Sequence, residues 1–166
     1  MKLNTKKMTT LALSVTLAMI LSFVESQIPP LVAVPGVKIG LSNIVTVFLL
    51  YTLGAPYAII VSLVRVLLSA LLFGNVPSLI FSLSGAALAL AVMIPVKKLL
   101  PFGTVGVSVL GGVAHNAGQI IAAIFVMGTS QLAYYMIPLV ISGTLAGVAV
   151  GIVAGIVVNR IKKYVI

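Results

Sequence analysis

Long apolar runs broken by short polar or proline-glycine punctuation dominate the chain, and they predict helices of membrane-spanning length. Six such segments emerge, covering about Thr9–Val24, Lys38–Leu53, Pro56–Phe73, a fourth ending near Ile94-Pro95, Thr104–Met127 and Gln131–Val158. The breaks are chemically distinct. Pro29-Pro30 and Pro35-Gly36 prevent a regular helix between the first two segments. Gly54-Ala55-Pro56, Gly74-Asn75-Val76-Pro77, Pro101-Phe102-Gly103 and Gly128-Thr129-Ser130 mark the others. The last segment is long enough to tilt, or to bend at Pro138. No internal repeat is evident. The pattern predicts an all-α, polytopic membrane protein: a single compact domain of six transmembrane helices.

Composition excludes the soluble alternatives. Of the 166 residues, 61% are hydrophobic and 7% charged. A soluble domain has roughly a quarter of its residues charged, so lipid must solvate most of this exterior. The first segment, preceded by Lys6 and Lys7, has some features of a secretory signal, but no small-x-small cleavage site follows it. An uncleaved first helix is therefore expected. Cysteine is absent, which removes disulfides, thiolate chemistry and cysteine-ligated metals.

The net charge of +9 gathers in clusters at Lys2, Lys6 and Lys7, at Lys97 and Lys98, and at Arg160, Lys162 and Lys163. These flank apolar runs, as topology-setting charges do, and do not form a nucleic-acid-binding stripe. With six spans, all three clusters fall on one side, and the turns near Gly74 and Gly128 on the other side carry no charge. Both termini are thus expected in the cytoplasm, with the protein multi-pass in a bacterial cytoplasmic membrane.

Polar residues within the spans are the candidate functional positions, because hydrocarbon tolerates them poorly. Arg65 lies mid-span, with Ser62 and Ser69 on its side of the helix. It is either a structural arginine held by carbonyls or Glu25, or a contact for substrate. Glu25 and Lys38 bracket the first connection and form an ion pair or are each solvated at the interface. Asn43 and Thr46 share a face of the second segment. His115, Asn116 and Gln119 form another cluster, with Gly111 and Gln119 each four residues from His115. That strip suits a helix crossing or a ligand contact. A lone histidine without acidic or cysteine partners is a poor metal site. Ser14, Ala18 and Ser22 repeat at intervals of four, as do Gly143, Gly147, Gly151 and Gly155, giving two close-packing faces for another helix or a partner subunit.

Catalytic signals are missing. There is no carboxylate pair, no phosphate-binding loop and no aspartate. Prenyl transfer through magnesium-bound diphosphate calls for several carboxylates, and this chain has one acidic residue. Neither enzymatic activity nor a cofactor is expected.

The run Glu25-Ser26-Gln27-Ile28-Pro29-Pro30, continued by Pro35-Gly36-Val37-Lys38-Ile39-Gly40-Leu41-Ser42-Asn43-Ile44, resembles a bacterial membrane family called heptaprenyl diphosphate synthase component I, or Gx transporter. The segment His115-Asn116-x-Gly118-Gln119 is similar too, and the resemblance spans nearly the whole chain. It implies kinship with the substrate-binding S components of energy-coupling factor (ECF) transporters, compact six-helix proteins for vitamins and related molecules. By that resemblance, the loop from Glu25 to Lys38 covers a small-molecule site lined by Asn43, Arg65, Asn75, His115 and Gln119. The face of Ser14, Ala18 and Ser22 would then dock on a transmembrane coupling subunit driven by two ATPases. The usual alanine-x-x-x-alanine pattern is altered here, since serine stands at two of the three positions. The resemblance implies uptake of a vitamin-, quinone-precursor- or isoprenoid-related molecule. The alternative is an accessory membrane subunit for prenyl-diphosphate synthesis or for flavin- or quinone-linked electron transfer.

Overall fold

The computed structural model describes residues 5–28 and 40–165. Lys38 and most of the proline-rich connection lie outside them. Helix α1 runs Thr5–Gln27, α2 Asn43–Thr52, α3 Ala55–Phe73, α4 Val76–Leu99, α5 Thr104–Met127 and α6 Met136–Val165, with a 3₁₀ segment at Ser130–Tyr135. Among the described residues, five helical stretches are long and apolar enough to cross a membrane.

The second segment departs from expectation. Its helix has ten residues, about 15 Å of rise against a hydrocarbon core of about 30 Å. Its environment explains the shortening. Val45, Thr46, Val47, Leu49 and Leu50 are all buried, so α2 is a central plug ringed by α1, α3, α5 and α6. Gly40, at φ 93°, makes the turn into it. Two other boundaries move. Helix α4 continues through Pro95 to Leu99, forgoing the bond that residue 95 would give the Ala91 carbonyl. Pro138 does not bend a span. It lies in the first turn of α6, where a missing N–H costs nothing.

The bundle is inverted relative to a water-soluble core. Phe125 is 83% exposed while Gln119 is 0% exposed. Large apolar side chains line the outside of every long helix, and this is a multi-pass membrane protein.

Helix directions follow from contacts. The Phe23 and Phe73 rings meet edge to face with centroids 5.7 Å apart, so α1 and α3 end together. Helices α5 and α6 run antiparallel. A β-carbon at Gly112 would lie 2.5 Å from the Gly143 carbonyl oxygen, one at Gly147 2.6 Å from the Val109 α-carbon, and one at Gly151 2.5 Å from the Val105 α-carbon. The glycine face of α6 is therefore spent inside the chain, on α5. At one end of the bundle, Tyr51 Oη donates to the Phe102 carbonyl at 3.2 Å. There Lys97 Nζ donates to the Leu50 carbonyl and lies 4.8 Å over the Tyr51 ring. The Lys162 charge acts on Lys97, and the start of α1 shares a groove with the end of α6. The described basic clusters thus converge on one end.

Candidate functional site

Among the described residues, two apolar cores fill the bundle. The larger, nearer the basic end, includes Val47, Leu49, Leu50, Ala58, Val61, Met93, Val107 and Val150. The smaller joins Phe81, Ile120, Ala123 and Leu139. Along α4, α5 and α6 the buried residues between these groups are small or polar. This polar layer is where the candidate residues meet.

Gly40 is its hub. Its N–H donates to Glu25 Oε1, which also accepts from the Leu41 N–H at 3.3 Å. A β-carbon at Gly40 would approach Asn43 Nδ2 to 2.8 Å and His115 Cδ2 to 3.6 Å. One carboxylate, one helix start and one imidazole therefore crowd around a residue that only glycine suits. His115 Nε2 lies 3.1 Å from Gln119 Nε2, one helical turn on. With the amide donating, the ring nitrogen accepts and the imidazole proton sits on Nδ1.

Helix α4 supplies the wall behind them. A β-carbon at Gly85 would fall 2.9 Å from Gln119 Cγ and 2.9 Å from both Cε1 and Nδ1 of His115. Gly118 presses the helices together, its own β-carbon position lying 2.6 Å from the Ser84 carbonyl oxygen. Sequence reasoning passed over Gly85. The signal available was the small run Ser84-Gly85-Ala86-Ala87 within an otherwise leucine-rich span, the mark of a close crossing.

Arg65 is buried, as are Ser62 and Ser69 on the same stripe of α3. Glu25 is the opposite charge acting on it. Its Nη2 has no hydrogen-bond partner among the described residues. Asn116 staples α5 to α6, its amide donating to the Leu139 carbonyl at 2.8 Å and reaching Ser142 Oγ at 3.4 Å. Asn116 Oδ1 has no partner among the described residues.

Other expected positions fall elsewhere. Asn75 is exposed at the end of α4, and its Oδ1 accepts from the Ser78 N–H at 2.8 Å. It caps the helix and is not part of the polar layer. Ser14, Ala18 and Ser22 are buried by the chain's own helices, so as placed they form an internal packing face. Lys38 lies outside the described residues.

The layer holds one carboxylate, one guanidinium, one imidazole and several amides and hydroxyls. Such a set can hydrogen-bond and balance charge. It lacks the carboxylates that would hold a magnesium-diphosphate complex, and no cluster of three or more metal-ligating side chains occurs among the described residues.

The sequence profile of heptaprenyl diphosphate synthase component I matches residues 14–157, from near the middle of α1 into the C-terminal part of α6. The chain belongs to this family. The match takes in all of the polar layer, so the layer is a feature of a component I protein. No curated protein and no solved structure matches the chain. Family membership agrees with the resemblance carried by the Glu25–Ile44 and His115–Gln119 segments.

Proposed function

We propose that the protein is a non-catalytic, membrane-embedded accessory subunit connected with heptaprenyl diphosphate synthesis, in the bacterial cytoplasmic membrane. The observation carrying this reading is the component I match over residues 14–157 in a chain with one acidic residue. That residue, Glu25, is already engaged by the Gly40 and Leu41 N–H groups. Chemistry on a diphosphate would come from another subunit, with this chain holding that subunit or its apolar product at the bilayer. The converging lysines offer the surface such a subunit would meet, and we place them, with both termini, at the cytoplasmic face in a six-crossing topology.

A second reading is uptake of a small molecule by an S-component-like bundle. It is favoured by one feature, the buried Arg65 guanidinium whose Nη2 lacks a partner among the described residues. In that version Glu25, Lys38, Asn43, Arg65, His115 and Gln119 are the substrate-binding residues, and a coupling subunit with two ATPases drives uptake.

One experiment separates them. Membranes with and without the chain are assayed for heptaprenyl diphosphate formation from isopentenyl and farnesyl diphosphates, and the gently extracted protein is weighed by native mass spectrometry. Loss of membrane-bound synthesis without the chain, together with a stoichiometric synthase subunit, is the expected result. Unchanged synthesis, with a small molecule retained by the wild type and lost in Arg65→Ala, establishes uptake instead.

A further inference from the structure

At the basic end, α1 and α6 barely touch. The short α2 lies between them and leaves a groove of about 240 Å³. Leu13 and Leu17 of α1 form one wall, Val157 and Ile161 of α6 the other, and Ile44 and Phe48 of α2 the floor. Here the otherwise buried α2 shows side chains to the surroundings. The lining is almost wholly apolar, and Leu13, Leu17 and Ile161 are exposed on its rim.

The groove runs toward cations on the same helical faces. Thr10, which also lines it, is four residues from Lys6 and three from Lys7 on α1; Val157 is three residues from Arg160 on α6. No acid offsets them, because the chain's one acidic side chain, Glu25, belongs to the polar layer near the other end of α1. An apolar trough opening onto uncompensated positive charge complements a molecule with a hydrocarbon chain and a strongly anionic head.

We infer that this groove between α1, α2 and α6 binds a single-chain polyprenyl diphosphate, its isoprenoid chain along Phe48 and Leu17 and its diphosphate at Lys6, Lys7 and Arg160. Two properties favour this occupant over a phospholipid. The volume suits part of one chain, not two, and a diphosphate carries more charge than a phosphodiester to meet three cations. The inference rests on the prenyl-diphosphate reading of the protein and assigns that reading a binding site. Sites at helix ends near the headgroups also let an amphiphile enter sideways from the leaflet, without opening the bundle.

The test uses the full chain in phosphatidylcholine nanodiscs and a farnesyl diphosphate analogue bearing a diazirine on its terminal isoprene. Labelling is expected on α1 between Leu13 and Leu17, on α2 at Ile44 or Phe48, and on α6 around Val157, away from the cations that hold the diphosphate. Unlabelled farnesyl diphosphate should compete and phosphatidylglycerol should not. Lys6→Ala combined with Arg160→Ala should weaken labelling roughly thirtyfold at low salt, since each surface cation contributes about 1 kcal/mol toward an anionic head. Both residues are exposed, so folding is not at stake, and Leu17→Trp, at a lipid-facing position, should block the groove independently. The inference is overturned by labelling spread evenly over the lipid-facing helices, by equal competition from phosphatidylglycerol, or by indifference to both sets of substitutions. A failure here with synthesis still dependent on the chain removes the groove and leaves the accessory role. Labelling as expected with synthesis independent of the chain retains the groove and removes that role.

Discussion

Arg65 and Glu25 are opposite charges, both buried in a lipid-solvated bundle, and the Glu25 charge acts on Arg65. Removing either charge alone takes its attraction away from the other, which is destabilising for a charge held out of water. Arg65→Met and Glu25→Gln alone should each lower the thermal midpoint in nanodiscs sharply. The double variant, with both charges gone, should recover much of the loss, and strictly additive losses would show that the two charges do not act on each other. Gly85 gives a second residue-level test. Alanine there drives a methyl group into the His115 ring and Gln119, and overpacking of this kind costs about 1–3 kcal/mol. Gly103→Ala, with nothing within 4 Å of its β-carbon position, is the control for overpacking and should show only the small cost of alanine at the α5 N-cap. Arg65, His115 and Gln119 were legible as interior residues because hydrocarbon forbids them elsewhere. Gly85 was not, since a glycine in an apolar run announces its role only when its neighbour across the crossing is known.

Helix α2 shows why element boundaries were harder to read than element existence. The apolar run from Ile39 to Leu53 has the composition of a lipid-facing span, but its helix starts at Asn43 and is buried by its neighbours. Hydropathy cannot separate burial in lipid from burial in protein. The C-terminal carbonyl of Leu50, which has no continuing turn to satisfy it, is taken by Lys97. That lysine was legible as a topology signal only. Lys97→Met keeps the apolar stem and removes the donor and the charge over Tyr51. The end of α2 should then exchange its amide hydrogens faster while α5 and α6 are unaffected, at a stability loss of about 1–3 kcal/mol. Uniform exchange across all helices would instead make Lys97 a global support.

At the scale of the whole molecule, the two small-residue faces were readable as sequence, but their destinations were not. Spacing of four marks a face for close approach whether the approaching helix is in the same chain or another. The structure spends the α6 glycines on α5 and buries Ser14, Ala18 and Ser22, which shifts the search for partners toward the charged end. Orientation in the membrane then becomes the property on which the remaining reasoning depends. The basic clusters converge on the end that carries Gly103, and Ser130 lies at the far end of α5. Because the chain has no cysteine, a single introduced thiol reports its own side without background. Ser130→Cys should react with a membrane-impermeant maleimide in intact cells, and Gly103→Cys only after the membrane is opened. Both positions are exposed and outside the long helices, so neither substitution disturbs packing. The reverse pattern would put Lys6, Lys7 and Arg160 outside, away from any cytoplasmic synthase and from diphosphates made there. Reactivity of both in intact cells would break the six-crossing arrangement itself.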